Sequence, residues 1–365
     1  MPRTSHWILR KLSHLDGLLL TLVLLLLGIS LAVVASASGQ SPARISGHLV
    51  NIGLALAVMV VMANVPPHLL SKVGPPLYVA GVVLLIGVAL FGEVRNGARR
   101  WLNLGFAFQP SELLKLALPL MMAWYFQRNE AVLRTKHFLV GGVLLLVPFV
   151  LILRQPDLGT ALMIGASGFY LLFFAGLSWK LILGGASLGV ASLPVVWGLL
   201  HDYQQRRILT LLDPSSDPLG AGYHIIQSTI AIGSGGLFGK GWMEGTQNQL
   251  DFIPERTTDF IFAVFGEEFG YVGSILLVGL YLAIVARGLV IAARAPTLFG
   301  RLMAATLSLN LFTYVFVNMG MVSGILPVVG VPLPLMSYGG TALITLLLGT
   351  GILMSVATHR RLNKS

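Results

Sequence analysis

The chain contains no cysteine, so neither disulfides nor thiolate-held metals enter its chemistry. Charge is scarce: only 10% of the 365 residues are Asp, Glu, Lys or Arg, against about 25% in a typical soluble domain. A water-soluble fold of this length could not cover itself with so few. Acids are the scarcer sign, 14 against 24 Lys and Arg, for a formal charge of +10. Neither an internal repeat nor a low-complexity tract is present, which excludes a repeat array and a disordered tail of biased composition.

Apolar sequence is abundant, at 55% of residues. A membrane-crossing helix needs roughly 20 such residues. Runs of that kind fall near 16–37, 47–66, 75–92, 111–127, 137–153, 158–176, 179–200, 268–286, 301–323 and 335–357. The expected fold is therefore an all-α polytopic membrane protein of about ten transmembrane helices, a single integral membrane domain over residues 1–365. The N-terminus MPRTSHWILRKLSH is basic and Ala35-Ser36-Ala37 resembles a cleavage site. Yet the run from Gly17 to Val34 exceeds the ~7–15 residues of a signal-peptide core, so it reads as an uncleaved first helix. An even span count puts both termini on one side, and Arg10, Lys11, Arg360, Arg361 and Lys364 place that side in the cytoplasm.

Sorted by these spans, fourteen of the 24 bases lie on the inner side, but twelve of the 14 acids lie outside or near the outer face. Ten bases join them there, against the usual topological bias. Most loops are short. The exception, about 201–267, separates the seventh and eighth spans and carries aromatics, paired glycines and apolar stretches, so short helices on or in the outer leaflet are expected.

Four stretches concentrate reactive groups. In NGARRWLNLGFAFQPSELLKLALPL, Ser111 is a candidate helix cap, and Glu112 and Lys115 share a face three residues apart. They make either a self-satisfied ion pair or, with Arg95, Arg99 and Arg100 just before, an anion cradle; those arginines are equally readable as headgroup anchors. Arg154-Gln-Pro-Asp157-Leu-Gly-Thr160 is a tight outer turn in which Asp157 can cap the next helix. The long loop holds Arg206, Arg207, GSGGLFGKG and DFIPERTTDF. GSGGLFGKG lacks the Gly-Lys-Ser/Thr ending of a phosphate loop and follows no strand, so its glycines serve close-packed turns. Thr258 is a plausible cap for a helix starting at Asp259, which would put Asp259, Ala263 and Glu267 on one face over roughly 12 Å. An acid on a half-buried helix facing a basic patch suits acid–base work. Last, GVPLPLMSYGG breaks the backbone before the tenth span, and Ser337 within it is structural or substrate-facing.

NGARRWL, QPSELLKLALPL, QPDLGTAL, LLDPSSDPLGAGYHIIQSTIAIGSGG, GTQNQLDFIPERTTDFIFAVFGEEFG and PLPLMSYGG, in this order over almost the whole chain, resemble the SEDS family (shape, elongation, division, sporulation). GTQNQL and the short N-terminal tail are similar to its elongation members rather than its division members. The resemblance implies a peptidoglycan glycosyltransferase of the bacterial cytoplasmic membrane. It would polymerise lipid II, a disaccharide-pentapeptide on undecaprenyl diphosphate, on the outer face. It would work with a class B penicillin-binding protein and the elongation machinery. Asp259 matches the family's catalytic aspartate and would accept the proton of the attacking sugar hydroxyl, with inversion. Arg99, Arg100, Lys115, Arg206 and Arg207 would hold the diphosphate, with Glu112, Asp157, Glu255 and Ser337 as further substrate-site candidates. The family often carries Pro-Glu-x-His-Thr-Asp-Phe; here Thr257 stands at the histidine, so no imidazole there competes with Asp259. A divalent cation, Mg2+ or Mn2+, bridging acids and diphosphate is compatible with this chemistry, but no ligand spacing demonstrates one. A lipid II flippase is the alternative. A transporter, however, gathers ionisable groups near the bilayer midplane, and here they gather at the outer ends.

Overall fold

The computed structural model describes residues 14–95, 98–103, 107–155, 157–199, 202–217 and 220–359. Arg3, Arg10, Lys11, Arg360, Arg361, Lys364 and the side chain of Arg95 lie outside that description. The described helices are α1 (Gly17–Ala37), α2 (Pro42–Ala63), α3 (Pro67–Phe91), α4 (Pro110–Arg128), α5 (Thr135–Leu153), α6 (Leu158–Phe174), α7 (Trp179–Leu199), α8 (Asp202–Leu212), α9 (Ala221–Ser234), α10 (Thr246–Gln249), α11 (Ile261–Ala293), α12 (Leu298–Val322) and α13 (Gly340–Thr358).

Each expected apolar run coincides with one of these helices. By length and composition, α1, α2, α3, α5, α11, α12 and α13 can each cross a membrane, so this is a multi-pass membrane protein. Their starts are legible locally. Asp16 caps α1 by accepting the Leu19 amide at 3.0 Å, Thr297 caps α12 from the Gly300 amide at 3.1 Å, and proline opens α2, α3 and α4. In the core, α13 lies along α2, α3 along α4, and α11 along α12. By contrast α7 presents Leu181, Leu183, Leu188, Val190 and Leu193 outward, as a lipid-facing helix does. A small antiparallel sheet, β1 (Glu93–Arg95), β2 (Ala98–Asn103) and β3 (Ala107–Phe108), adds to the helical architecture.

The two described ends of the chain meet. The His14 and His359 rings stack at 4.2 Å, and beside them Arg287 of α11 donates to Asp16 at 3.0 Å.

The eighth expected span, 268–286, is longer than foreseen because α11 begins at Ile261 and is broken inside, at Gly270 (φ 67°, ψ −162°). The glycine-rich loop plugs that break. Lys240 and Gly241 donate their amides to the carbonyls of Glu267 and Glu268 at 3.0 and 3.1 Å, and Tyr271 and Val272 donate to Gly236 and Leu237 at 2.9 and 3.0 Å. Every group freed by the break on these four residues is thereby paired, which a low-dielectric setting requires. A Cβ on Gly270 would lie 2.3 Å from the Gly239 nitrogen, so only glycine permits the approach. GSGGLFGKG is thus a plug for a helix break.

Candidate active site

Asp259 sits in a run of turns that ends where α11 begins. The helix starts two residues later than expected, at Ile261 with Phe260 at the cap position. The reason is that the Thr258 hydroxyl turns backward, donating to the Glu255 carbonyl at 3.2 Å and to Glu255 Oε2 at 3.0 Å, rather than capping forward. Ser111 likewise does not cap α4: Gln109 holds the cap position and Pro110 the first turn, and Ser111 Oγ is buried without a hydrogen bond.

Three successive carbonyls of the turn are held by other elements. Tyr338 N donates to Thr257 O at 2.8 Å, Ser337 Oγ to Thr258 O at 2.6 Å, and Asn318 Nδ2 of α12 to Asp259 O at 2.8 Å. Ser337 Oγ also accepts from Leu333 N at 2.8 Å, so Ser337 is a joint between two loops. Arg44 Nη1 donates to Thr257 Oγ1 at 3.2 Å. The Asp259 carboxylate faces Gly330, where an added Cβ would lie 3.5 Å from Oδ2. Burial first, then the negative charge of Glu255, push the Asp259 carboxyl up to about 6. Nearby, the His224 ring packs at a tilt against Phe260, 5.3 Å between centres; burial lowers its basicity, while Glu255 and Asp217 raise it.

Gly330 is also part of the lining of a cavity of about 240 Å³. Its lining includes the polar and charged groups of Arg100, Gln109, Glu112, Lys115, Asp157 and Tyr314. Lys115 Nζ bonds Glu112 Oε1 at 2.6 Å and lies 5.5 Å from the Tyr314 ring centre. The other Glu112 oxygen is buried with no hydrogen bond among the described residues. Asp157 caps α6 through the Thr160 amide at 3.1 Å, accepts Gln109 Nε2 at 3.2 Å and lies 3.8 Å from Arg100 Nη1. The rest of the lining is mainly apolar, with Leu116, Ile284, Leu307, Leu311, Leu346 and Leu353, and carries Ser308, Asn310, Thr345 and Thr350 among them.

Of the residues singled out in the sequence, Arg100, Glu112, Lys115, Asp157 and Ser337 line this cavity; Asp259 is not in the lining, but its carboxylate faces Gly330, which is. Arg99, Arg206, Arg207 and Glu255 are absent from the lining. Arg99 and Arg100 are neighbours on β2, so they point to opposite faces. Arg100 Nε donates to Gln155 O at 3.3 Å, and Arg99 Nη1 turns to Ala89 O at 3.3 Å. Arg206 and Arg207 lie on α8, which packs on α9 rather than on the cavity helices. Glu267, expected on a common stripe with Asp259, is fully buried and accepts Lys240 Nζ, Thr246 Oγ1 and the Gln247 and Asn248 amides at 2.7, 3.1, 3.0 and 3.3 Å.

Among the described residues no three His, Asp or Glu converge as metal ligands. Glu112 and Asp157 already face cations, so the residues present do not fit a protein-built cage for a divalent ion. The sequence reading missed Gln109, Tyr314 and Asn318. Their apolar or amide character inside apolar runs carries no local signal; only their i, i+4 spacing on α12 (Tyr314, Asn318) marks a shared face.

The family profile described as "Cell cycle protein", of FtsW, RodA and SpoVE, matches residues 16–362. The chain is 54% identical over 351 residues to the peptidoglycan glycosyltransferase MrdB of Escherichia coli (strain K12), covering 96% of this chain and 95% of that one. A chain from a peptidoglycan synthase complex that coordinates polymerization and crosslinking is similar at 36% identity and a TM-score of 0.81, over 94% of this chain and 97% of that one. The rod shape determining protein RodA of Thermus thermophilus is similar at 31% identity and a TM-score of 0.72, over 95% and 98%.

Proposed function

The chain belongs to the FtsW/RodA/SpoVE family of cell cycle proteins, and from that membership we propose that it is a peptidoglycan glycosyltransferase polymerising lipid II into glycan strands during cell elongation. One observation carries the chemistry: a partly buried carboxyl with its pKa pushed up to about 6 faces the Gly330 edge of a cavity that holds Arg100 and Lys115, each beside an acid, at one end and is mainly apolar beyond. That arrangement suits an amphipathic substrate, with sugar beside Asp259, diphosphate at the charged end and the first part of the polyprenyl chain along the apolar lining.

The Asp259 carboxylate takes the proton from the acceptor sugar hydroxyl as that oxygen bonds to the anomeric carbon of the donor. The bond to the diphosphate breaks on the opposite face and its electron pair leaves with the phosphate, so the centre inverts. A carboxyl near 6 is still ionised at neutral pH and a better base than an ordinary aspartate. Lys115 and Arg100 meet the charge that grows on the diphosphate, with contacts that tighten as the bond breaks. Glu112 orients Lys115, and its second oxygen is an acceptor in reserve for a substrate N–H or O–H. Asp157 holds Arg100 and Gln109 toward the cavity. Arg99, Arg206, Arg207 and Glu255, which do not line the cavity, are candidates for the emerging strand or headgroup. No step is routed through a metal ion.

The site faces outward in this reading and both termini face the cytoplasm. The meeting of His14 with His359 supports a common side for the two ends, and the excess of bases on the inner loops supports which side it is. A transpeptidase of the penicillin-binding class is the proposed partner, in line with the synthase complex to which the chain is similar. Transport is less well supported: the carboxylates at the broken helix are engaged by the plug and by α1 (Glu268 accepts Ser36 Oγ) and do not line the cavity. Purified protein with its partner, given labelled lipid II in liposomes, decides the matter. Glycan strands are expected; movement of lipid II across the bilayer without strands would replace the proposal with a flippase, and neither with a scaffold.

A further inference from the structure

We propose that Asn318 is a positioning residue for the base: its side-chain amide fixes the backbone of Asp259 and the wall that Asp259 faces in one register. The inference rests on the reading of Asp259 as the base. Asn318 is fully buried on α12. Its Nδ2 donates both protons, to Asp259 O at 2.8 Å and to Val331 O at 2.7 Å. Only the nitrogen of the amide can donate, so two carbonyl acceptors settle its orientation. The two acceptors lie 59 and 13 residues away, in two loops that Ser337 and Tyr338 also join through the Thr258 and Thr257 carbonyls.

Both acceptors are adjacent to the chemistry. Fixing the Asp259 carbonyl fixes the peptide that joins Asp259 to the start of α11, and with it the direction of the side chain. Val331 follows Gly330, the residue that fronts the Asp259 carboxylate so closely that an added Cβ would be in van der Waals contact with Oδ2, at 3.5 Å. Beside the Ser337 and Tyr338 bonds, which tie the neighbouring residues, this amide is the one that holds the Asp259 carbonyl itself to the Val331 backbone. One turn along the same helix, Lys115 Nζ lies over the Tyr314 ring, so the base and Lys115 are referred to a single turn of α12.

The arrangement costs something that packing alone would not require. Asn318 Oδ1 is buried without a hydrogen bond. A leucine there would avoid that orphan acceptor, so the position is explained by what its N–H groups hold.

The test uses the full-length protein with its transpeptidase partner and fluorescent lipid II. Asp259→Asn is assayed alongside Asn318→Ala and Asn318→Ser, the last because a helical serine bonds the carbonyl four residues back and stays satisfied while releasing Asp259. The expected result is a fall in kcat of about 100-fold, the scale of a misplacement near 1 Å, with KM changed less than about 3-fold. In addition, the acid limb of the pH–rate curve moves to lower pH, because a released carboxylate gains water. Thermal unfolding in detergent separates these from loss of fold, and either Asn318 variant suffices if the other does not fold. A folded Asn318 variant with an unmoved acid limb and near-normal kcat overturns the inference while an inactive Asp259→Asn leaves the base intact. An active Asp259→Asn overturns both.

Discussion

Asp259 and Glu267 are carboxylates eight residues apart on one continuous segment, and the fold treats them in opposite ways. Glu267 is sealed from solvent and surrounded by a lysine, a hydroxyl and two backbone amides. Asp259 has its backbone fixed from three sides, while its side chain faces a glycine and a cavity. At Glu267 the side chain is the structural element, closing the loop over the helix break. At Asp259 the main chain is held and the carboxyl is left with unfavourable electrostatics. Hydrogen bonds to the charged form stabilise a fold; burial beside a like charge stores reactivity.

The sharpest break between the two is Asp259→Asn. Polymerisation should fall roughly 100- to 10,000-fold, the usual contribution of a general base, in a strand-forming assay on labelled lipid II. The same variant should be more stable than the parent at pH 8, by at most about 3 kcal/mol. The sign follows from the raised pKa: the native state disfavours the charged carboxyl, so the penalty is present above about 6 and absent well below 4. Unfolding scans at pH 8 and pH 4 should show a gain only at the former.

Glu267→Gln should do the reverse. Removing one partner of a buried charge pair costs about 3 kcal/mol or more, read as a lower midpoint of thermal unfolding in detergent, while kcat per folded molecule stays within a few-fold. Equal losses of activity in both variants would erase the distinction.

Smaller effects sharpen the comparison. Glu255→Gln removes the second cause of the raised Asp259 value, so the acid limb of kcat/KM, expected near pH 6, should move to lower pH with little change at pH 8. Burial, the first cause, remains, so the limb should stay above that of an ordinary aspartate. Asp251→Asn should be nearly silent in both stability and rate, within about 0.5 kcal/mol. Its side chain is 76% exposed and pairs with Arg256 at the surface.

The acids also mark how far local pattern reaches. Glu112 and Lys115 were readable as a pair because three residues on a helix is a fixed geometry, and they pair. Asp157 was readable as a cap, and it caps. Thr258 was read as a forward cap because a hydroxyl before an apolar run normally serves one; it bonds backward because Glu255 sits in the left-handed region (φ 47°) and brings its own carbonyl and carboxylate within reach. The four arginines and one lysine read as holding the diphosphate separate in space: strand alternation divides Arg99 from Arg100, and α8 carries Arg206 and Arg207 elsewhere.

By itself the sequence determined a multi-pass helical protein, its family, and the segments that hold reactive groups. Hydropathy length, 3.6-residue spacing and contiguous motifs act within a few turns of chain and need no partner. Tertiary structure alone decided that a glycine-rich loop plugs the break at Gly270, that Asn318 meets both Asp259 and Val331, and that Arg100 enters the cavity while Arg99 does not. Those are contacts between residues up to 59 positions apart. In a low-dielectric interior each freed N–H and C=O must find a partner wherever the packing places one, and no local pattern encodes which it will be.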